Sequence, residues 1–113
     1  MEALIDLGEA RGIRSVEVDC LRAQGSWIFL PRWVELALSA DGQQWNTVGR
    51  AEVSLENNPE GISERIEIKV PQGSPFEPAR YLLIHARNRG PLPEWHPGAP
   101  ENAWLFVDEI VVR

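Results

Sequence analysis

The residue types best suited to chemistry in this chain gather in one proline-rich stretch. Trp95 and His96 stand side by side there, with Glu94 before them and Asn102 and Trp104 close behind, while Trp27 lies in a separate loop segment. An aromatic face stacks on the apolar C–H face of a pyranose, and Glu, Asn and His side chains hydrogen-bond its hydroxyls. These residue types therefore suit a sugar site. The same pattern has a plainer use, because a proline-bracketed Trp-His pair also anchors a long loop, with the indole buried and the imidazole bonded to backbone. Catalysis has less to work with. His85 sits in an apolar run, where a lone histidine is more often a core residue than a base, and His96 has no Ser or Cys nucleophile at a motif spacing. The single Cys20 closes an apolar segment and reads as an inert buried thiol. Asp108 and Glu109 adjoin within a strand, which sends them to opposite faces and keeps them from flanking one glycosidic bond. The residues do not read as an enzyme's.

The elements that must position these residues are strands. Nearly every regular segment alternates at period two, and helical spacing is almost absent. Ala3–Leu7 forms a short strand closed by Gly8, Arg11-Gly12 marks a turn, and Ile13, Val16 and Val18 open a longer strand to Leu21. Trp33–Ser39 leads into Asp41-Gly42, the pair that supplies the positive φ of a hairpin turn, and Trp45–Val53 returns. Ile62 to Val70 alternates against Glu64, Glu67 and Lys69 as a half-exposed strand. The more continuous apolar run Tyr81–Ala86 predicts a central strand covered on both faces. Arg87–Asn102 holds Pro91, Pro93, Pro97 and Pro100, which forbid a regular ladder, and Trp104–Val112 closes the chain as a strand. Trp33, Trp45 and Trp104 lie in or beside strands and are expected in the core, with a ligand platform as the alternative for Trp104. About seven strands without helices between them make an all-β, antiparallel β-sandwich or jelly roll over residues 1–113, one domain. The long loop is where function is expected to reside.

Composition narrows the partners. The chain has 113 residues and a net charge of −6, and no basic run for a phosphate backbone, so nucleic acid is not an expected partner. No hydrophobic run is long enough for a bilayer, and Met1-Glu2-Ala3 does not open a charged-then-apolar secretion signal.

Leu4-Ile5-Asp6-Leu7-Gly8, Trp33–Leu36 leading to Ser39-Ala40-Asp41-Gly42, Ala79–Leu82 and Phe106–Ile110 together resemble the discoidin, or coagulation factor 5/8 type C, superfamily, whose fold is the galactose-binding-like jelly roll. Gly25–Pro31, Pro93–Ala99 and Ala103–Phe106 resemble more narrowly the C-terminal accessory domain of bacterial family 20 β-N-acetylhexosaminidases. The resemblance implies a non-catalytic accessory domain of a secreted or periplasmic glycoside hydrolase, whose activity belongs to a separate barrel. It implies either a carbohydrate-binding module, in which Arg22, Gln24 and Trp27 face Glu94, Trp95, His96 and Asn102, or a module that docks on the adjacent catalytic domain without binding sugar. Many such domains hold a structural Ca²⁺ with backbone carbonyls, an Asp of an N-terminal segment and a glutamate whose position Glu109 matches. Without that segment Glu109 alone is not expected to hold the ion tightly, and no cofactor is expected. Domains of this kind carry a segment rich in Asp, Asn and Thr before the Asp-Leu-Gly strand, and this chain begins almost on that strand. The expectation is an unpaired sheet edge with apolar surface beside it, and a homo-oligomer formed through that edge.

Overall fold

The computed structural model describes residues 1–58 and 60–113; Pro59, in the polar stretch before the fifth strand, lies outside them. Seven strands follow one another: β1 Glu2–Arg11, β2 Ser15–Arg22, β3 Trp33–Ser39, β4 Asn46–Glu52, β5 Ile62–Lys69, β6 Ala79–Arg87 and β7 Val107–Val112. They pair antiparallel as β1-β6-β3-β4 and β5-β2-β7, the two sheets of a β-sandwich. The helical structure among the described residues is a single 3-10 turn, Gln24–Ser26.

Alternation explains the packing. Val16, Val18 and Cys20 of β2 face Val34, Leu36 and Leu38 of β3 and Leu82, Ile84 and Ala86 of β6, all essentially sealed from solvent. Each such aliphatic side chain gains about 1.5–3 kcal/mol by leaving water, so register is fixed by which face is apolar. Burial pushes the Cys20 thiol up to about 11, with the Asp19 and Asp108 charges adding to it, as an inert core cysteine requires. The Asp41-Gly42 turn is built as its residues demand: Gly42 has φ +80, and Asp41 Oδ1 accepts the N–H groups of Gln43 and Gln44 at 2.8 and 2.9 Å.

Several elements differ from their sequence expectation. Gly8 does not close the first strand; with φ +85 it sits inside β1, where the register to β6 shifts between Asp6 and Arg11. Glycine here marks a bulge rather than an end. β6 lies between β1 and β3, yet its outer face is open: Tyr81, Leu83 and His85 are half-buried, and Leu4 beside Leu83 on β1 is 65% exposed. The run looks continuous because its outward positions are also apolar, not because a second layer covers them. His85 is accordingly an outer-face residue, edge-on to Trp33 at 4.9 Å. Trp33 is on that face too, with the Arg50 guanidinium 3.9 Å from its ring centroid, and Trp45 is half-buried. β1 has one neighbour, β6, and so presents a free edge.

That edge carries an acid-sensitive clasp. Arg80 on β6 forks Asp6 on β1 through Nε and Nη2 at 2.8 and 3.0 Å, and Gly8 N–H donates to Asp6 Oδ1 at 2.8 Å. The Arg80 hydrogen bond, followed by that of Gly8, holds the Asp6 carboxyl below its ordinary 3.8, at about 2. A depressed folded-state value stabilises above the unfolded value and is lost as the proton is taken up, so this contribution is whole above pH 4 and disappears toward pH 2. Asp6→Asn should therefore flatten the acid side of a urea-midpoint-against-pH curve between those limits, leaving the midpoint's pH dependence near neutrality unaltered.

Candidate functional site

The loops at the β2-exit end of the sandwich have a small core of their own. Phe29, Leu92 and Ala103 are buried together, with Trp27 and Ala99 packed against them, apart from the main core. Backbone bonds tie the segments together: Phe29 N–H donates to Trp104 O at 3.1 Å, Trp104 N–H to Trp27 O at 2.8 Å, Leu92 N–H to Glu101 O at 2.7 Å, and Ala103 N–H to Gly90 O at 2.7 Å. Four prolines could not donate into a regular ladder, and single bridges such as Pro91–Asn102 and Ile28–Trp104 replace one. Trp27 is the one non-glycine with positive φ, +67, among the described residues. That conformation costs a residue with a side chain about 1–2 kcal/mol, and here it tucks the indole beneath the loop tip. Trp27 Cε2 and Cζ2 and Leu92 Cδ1 stand 2.8 Å from where a Cβ on Gly98 would sit. Gly98→Ala should thus cost about 1–3 kcal/mol in urea unfolding by overpacking, and should shift the Trp27 indole signal.

His96 is the pin of this loop. It is buried, its Nδ1 accepts Gly98 N–H at 2.9 Å, and its Nε2 lies 2.6 Å from Gln24 O. Because Nδ1 accepts, the proton sits on Nε2, which donates to the carbonyl. Both ring nitrogens are consumed, which corrects the expectation that His96 binds hydroxyls: a buried imidazole must satisfy itself, and the backbone does so. Trp95 lies against Phe29 with ring centroids 6.0 Å apart and stays 42% exposed. Glu94 is exposed beside it.

The remaining expected residues divide. Arg22 and Gln24 are 5% and 3% exposed, and their side chains bond to segments other than the Trp-His loop. Arg22 Nη1 donates to Glu64 Oε1 at 3.1 Å, while Gln24 Nε2 donates to Glu56 O at 2.7 Å and its Oε1 accepts Asn58 N–H at 3.1 Å. They staple the segment before β5 and line a separate cavity. Trp27 and Asn102, in contrast, meet in a groove of about 350 Å³ completed by Glu101, Ala103 and Trp104. Trp104 is 67% exposed, and with Phe106 at 52% it forms an apolar ridge beside the groove.

Of the two places the sequence leaves open for Trp104, core or exposed platform, the structure has it exposed, and the reason lies in β7. Ile110 and Val112 pair with Val18 and Val16 and face inward, but the register shifts so that Val107, not Asp108, stands opposite Cys20. One extra residue reverses the parity: Val107 and Leu105 turn in to the core, and Trp104 and Phe106 turn out. The same bulge leaves Asp108 and Glu109 both exposed rather than on opposite faces, with Ser63 Oγ donating to Asp108 Oδ2 at 3.2 Å. Glu109 pairs in register with Asp19, which Arg65 forks at 2.8 and 3.1 Å. These residues do not fit a calcium ion, since a guanidinium already satisfies the neighbouring carboxylate, and no group of three or more His, Cys, Asp or Glu among the described residues is arranged to hold a metal.

No protein-family model matches this chain, and no curated protein matches it in sequence.

Proposed function

We propose that the domain is a non-catalytic carbohydrate-binding module of the discoidin, galactose-binding-like kind, an accessory domain of a secreted or periplasmic glycoside hydrolase such as a β-N-acetylhexosaminidase. The observation that carries the reading is the groove between Trp27 and Trp104, with the Trp104 ring exposed and Glu101 and Asn102 beside it. An indole face takes the C–H face of a pyranose, and a carboxylate and an amide within the same groove take its hydroxyls. Asn102 and Glu101 are exposed, and their side chains have no hydrogen bond to the described residues, so their polar atoms are available to a ligand. Trp95 widens the aromatic surface on the neighbouring loop tip. Affinity at such a shallow site is weak and gains value through tethering to a second module.

One feature favours docking on an adjacent catalytic domain as the second reading: Trp104 and Phe106 project side by side, more ridge than concavity. A titration of the five indole N–H signals with N-acetylglucosamine, galactose and their oligomers separates the two. Sugar binding moves the Trp104 and Trp27 signals to saturation and leaves Trp33 and Trp45 still. Flat signals to tens of millimolar, beyond the ~1 mM that corresponds to about −4 kcal/mol, overturn the sugar reading in favour of docking.

A further inference from the structure

A further cavity among the described residues, about 290 Å³, shares no lining residue with the tryptophan groove. Its walls include Arg22 and Gln24, both more than nine-tenths buried, and Arg89 from the segment after β6. Arg89 is held rigidly: its Nη2 donates to Pro31 O and to Val53 O, each at 3.0 Å. Its Nε is buried and has no hydrogen-bond partner. Arg22 is paired with Glu64 and Arg65 with Asp19, but Arg89 has no ion pair among the described residues. Burial, with the Arg32 charge behind it, lowers the Arg89 pKa, which is the mark of a cation short of a counter-charge. A partly buried guanidinium that lines a cavity without a counter-charge is costly to keep, and an anion in that cavity offsets the cost.

The sign of the rest of the cavity limits the anion. Glu64 answers Arg22, while Glu52 and Glu56 also line the space and are exposed. A multiply charged anion meets their repulsion. A single carboxylate that also bears hydroxyls satisfies both signs, the carboxylate on Arg89 and the hydroxyls donating to the glutamates. We propose that this cavity binds a compact hydroxylated monocarboxylate, of the size of one sugar acid, with Arg89 as its anchor and Arg22 as a wall. The volume is at the small end of ligand pockets and admits one ring, not an oligomer.

The test observes the arginine Nε–Hε signals of the whole chain by NMR while D-glucuronate, D-glucose and inorganic phosphate are added separately. Glucuronate should shift the Arg89 Nε–Hε signal saturably, with glucose leaving it unmoved and phosphate binding more weakly than glucuronate. Arg89→Lys, which keeps the charge and loses the fork, should weaken glucuronate at least tenfold, whereas Trp104→Ala should leave glucuronate binding unchanged. The proposal is overturned if glucuronate produces no saturable shift up to about 50 mM, far weaker than the ~1 mM regime of about −4 kcal/mol. It is equally overturned if glucose moves the Arg89 signal as far as glucuronate does, or if phosphate binds more tightly. Should Arg89→Lys fail to fold, the unmodified protein's own Arg89 signal decides the matter. Because the two sites share no side chain, failure here leaves the Trp27–Trp104 reading standing, and the converse holds.

Discussion

In a Trp104→Ala protein, sugar titration should leave the Trp27 indole signal where it is, a loss of at least tenfold in affinity, while the fold stays as stable as before. The ring is 67% exposed, so little burial is lost with it. Surface changes of this kind fall within about 0.5 kcal/mol, which for a domain of this length moves the thermal midpoint by only about 2–4 °C. The two backbone bonds that lock this residue into the loop, from Trp104 N–H to Trp27 O and from Phe29 N–H to Trp104 O, survive the substitution. A platform and a structural residue thus part company in one variant: lost binding with an unmoved midpoint identifies the first, and a fallen midpoint the second. Tenfold is the minimum expected, since about 1.4 kcal/mol of stacking suffices for it. If sugar still saturates the Trp27 signal with undiminished affinity, Trp104 is not the platform and the sugar site is not this groove.

The largest stability effect belongs to the residue beneath. Phe29→Ala should cost about 3–5 kcal/mol in urea unfolding, the range for emptying a buried phenylalanine site. Phe29 is 2% exposed and is the floor on which the loop tip rests, with its ring 6.0 Å from that of Trp95 and 5.6 Å from that of His96. The effect should also reach beyond packing. Without the floor, His96 loses the packing that presents its nitrogens to Gln24 O and Gly98 N, and the loop pinned by those bonds comes loose. Sugar binding should therefore weaken in Phe29→Ala even though Phe29 touches neither Trp104's exposed face nor the groove. A loss below about 1 kcal/mol would mean the loop's small core is dispensable, contrary to the burial that defines it.

Most of the sandwich was legible because burial and alternation are the same fact seen twice. Val16, Val18 and Cys20, or Val34, Leu36 and Leu38, can satisfy a period of two only with one face inside. Asp41-Gly42 was legible because its chemistry is local. What escaped was whatever depends on an inserted residue or a distant partner. Counted back from Ile110 and Val112, the alternation puts Phe106 and Trp104 indoors, and only the bulge opposite Asp19 and Cys20 turns them out. A bulge without glycine leaves no composition signal. The pinning of His96 joins positions 72 apart in sequence, and nothing near His96 in the chain announces Gln24 O. The family resemblance places Arg22 and Gln24 opposite the tryptophans, but their side chains bond instead to Glu64, Glu56 and Asn58, partners more than thirty residues away that nothing near Arg22 and Gln24 announces. Arg89 reads in sequence as one more arginine after a strand; its buried Nε is a property of the carbonyls of Pro31 and Val53 that hold it.

The separation of the loop core from the sheet core predicts two opening events rather than one. Amides of the sheet core should exchange with deuterium only when the whole sandwich unfolds, whereas those bracing Phe29, Leu92 and Ala103 should exchange when the end cap lifts by itself. On the proposed sugar-binding reading, a ligand in the groove should retard the second process and leave the first alone. Substitutions in the loops at this end should consequently cost stability mainly in their own small core, leaving the sheet core's packing as it is.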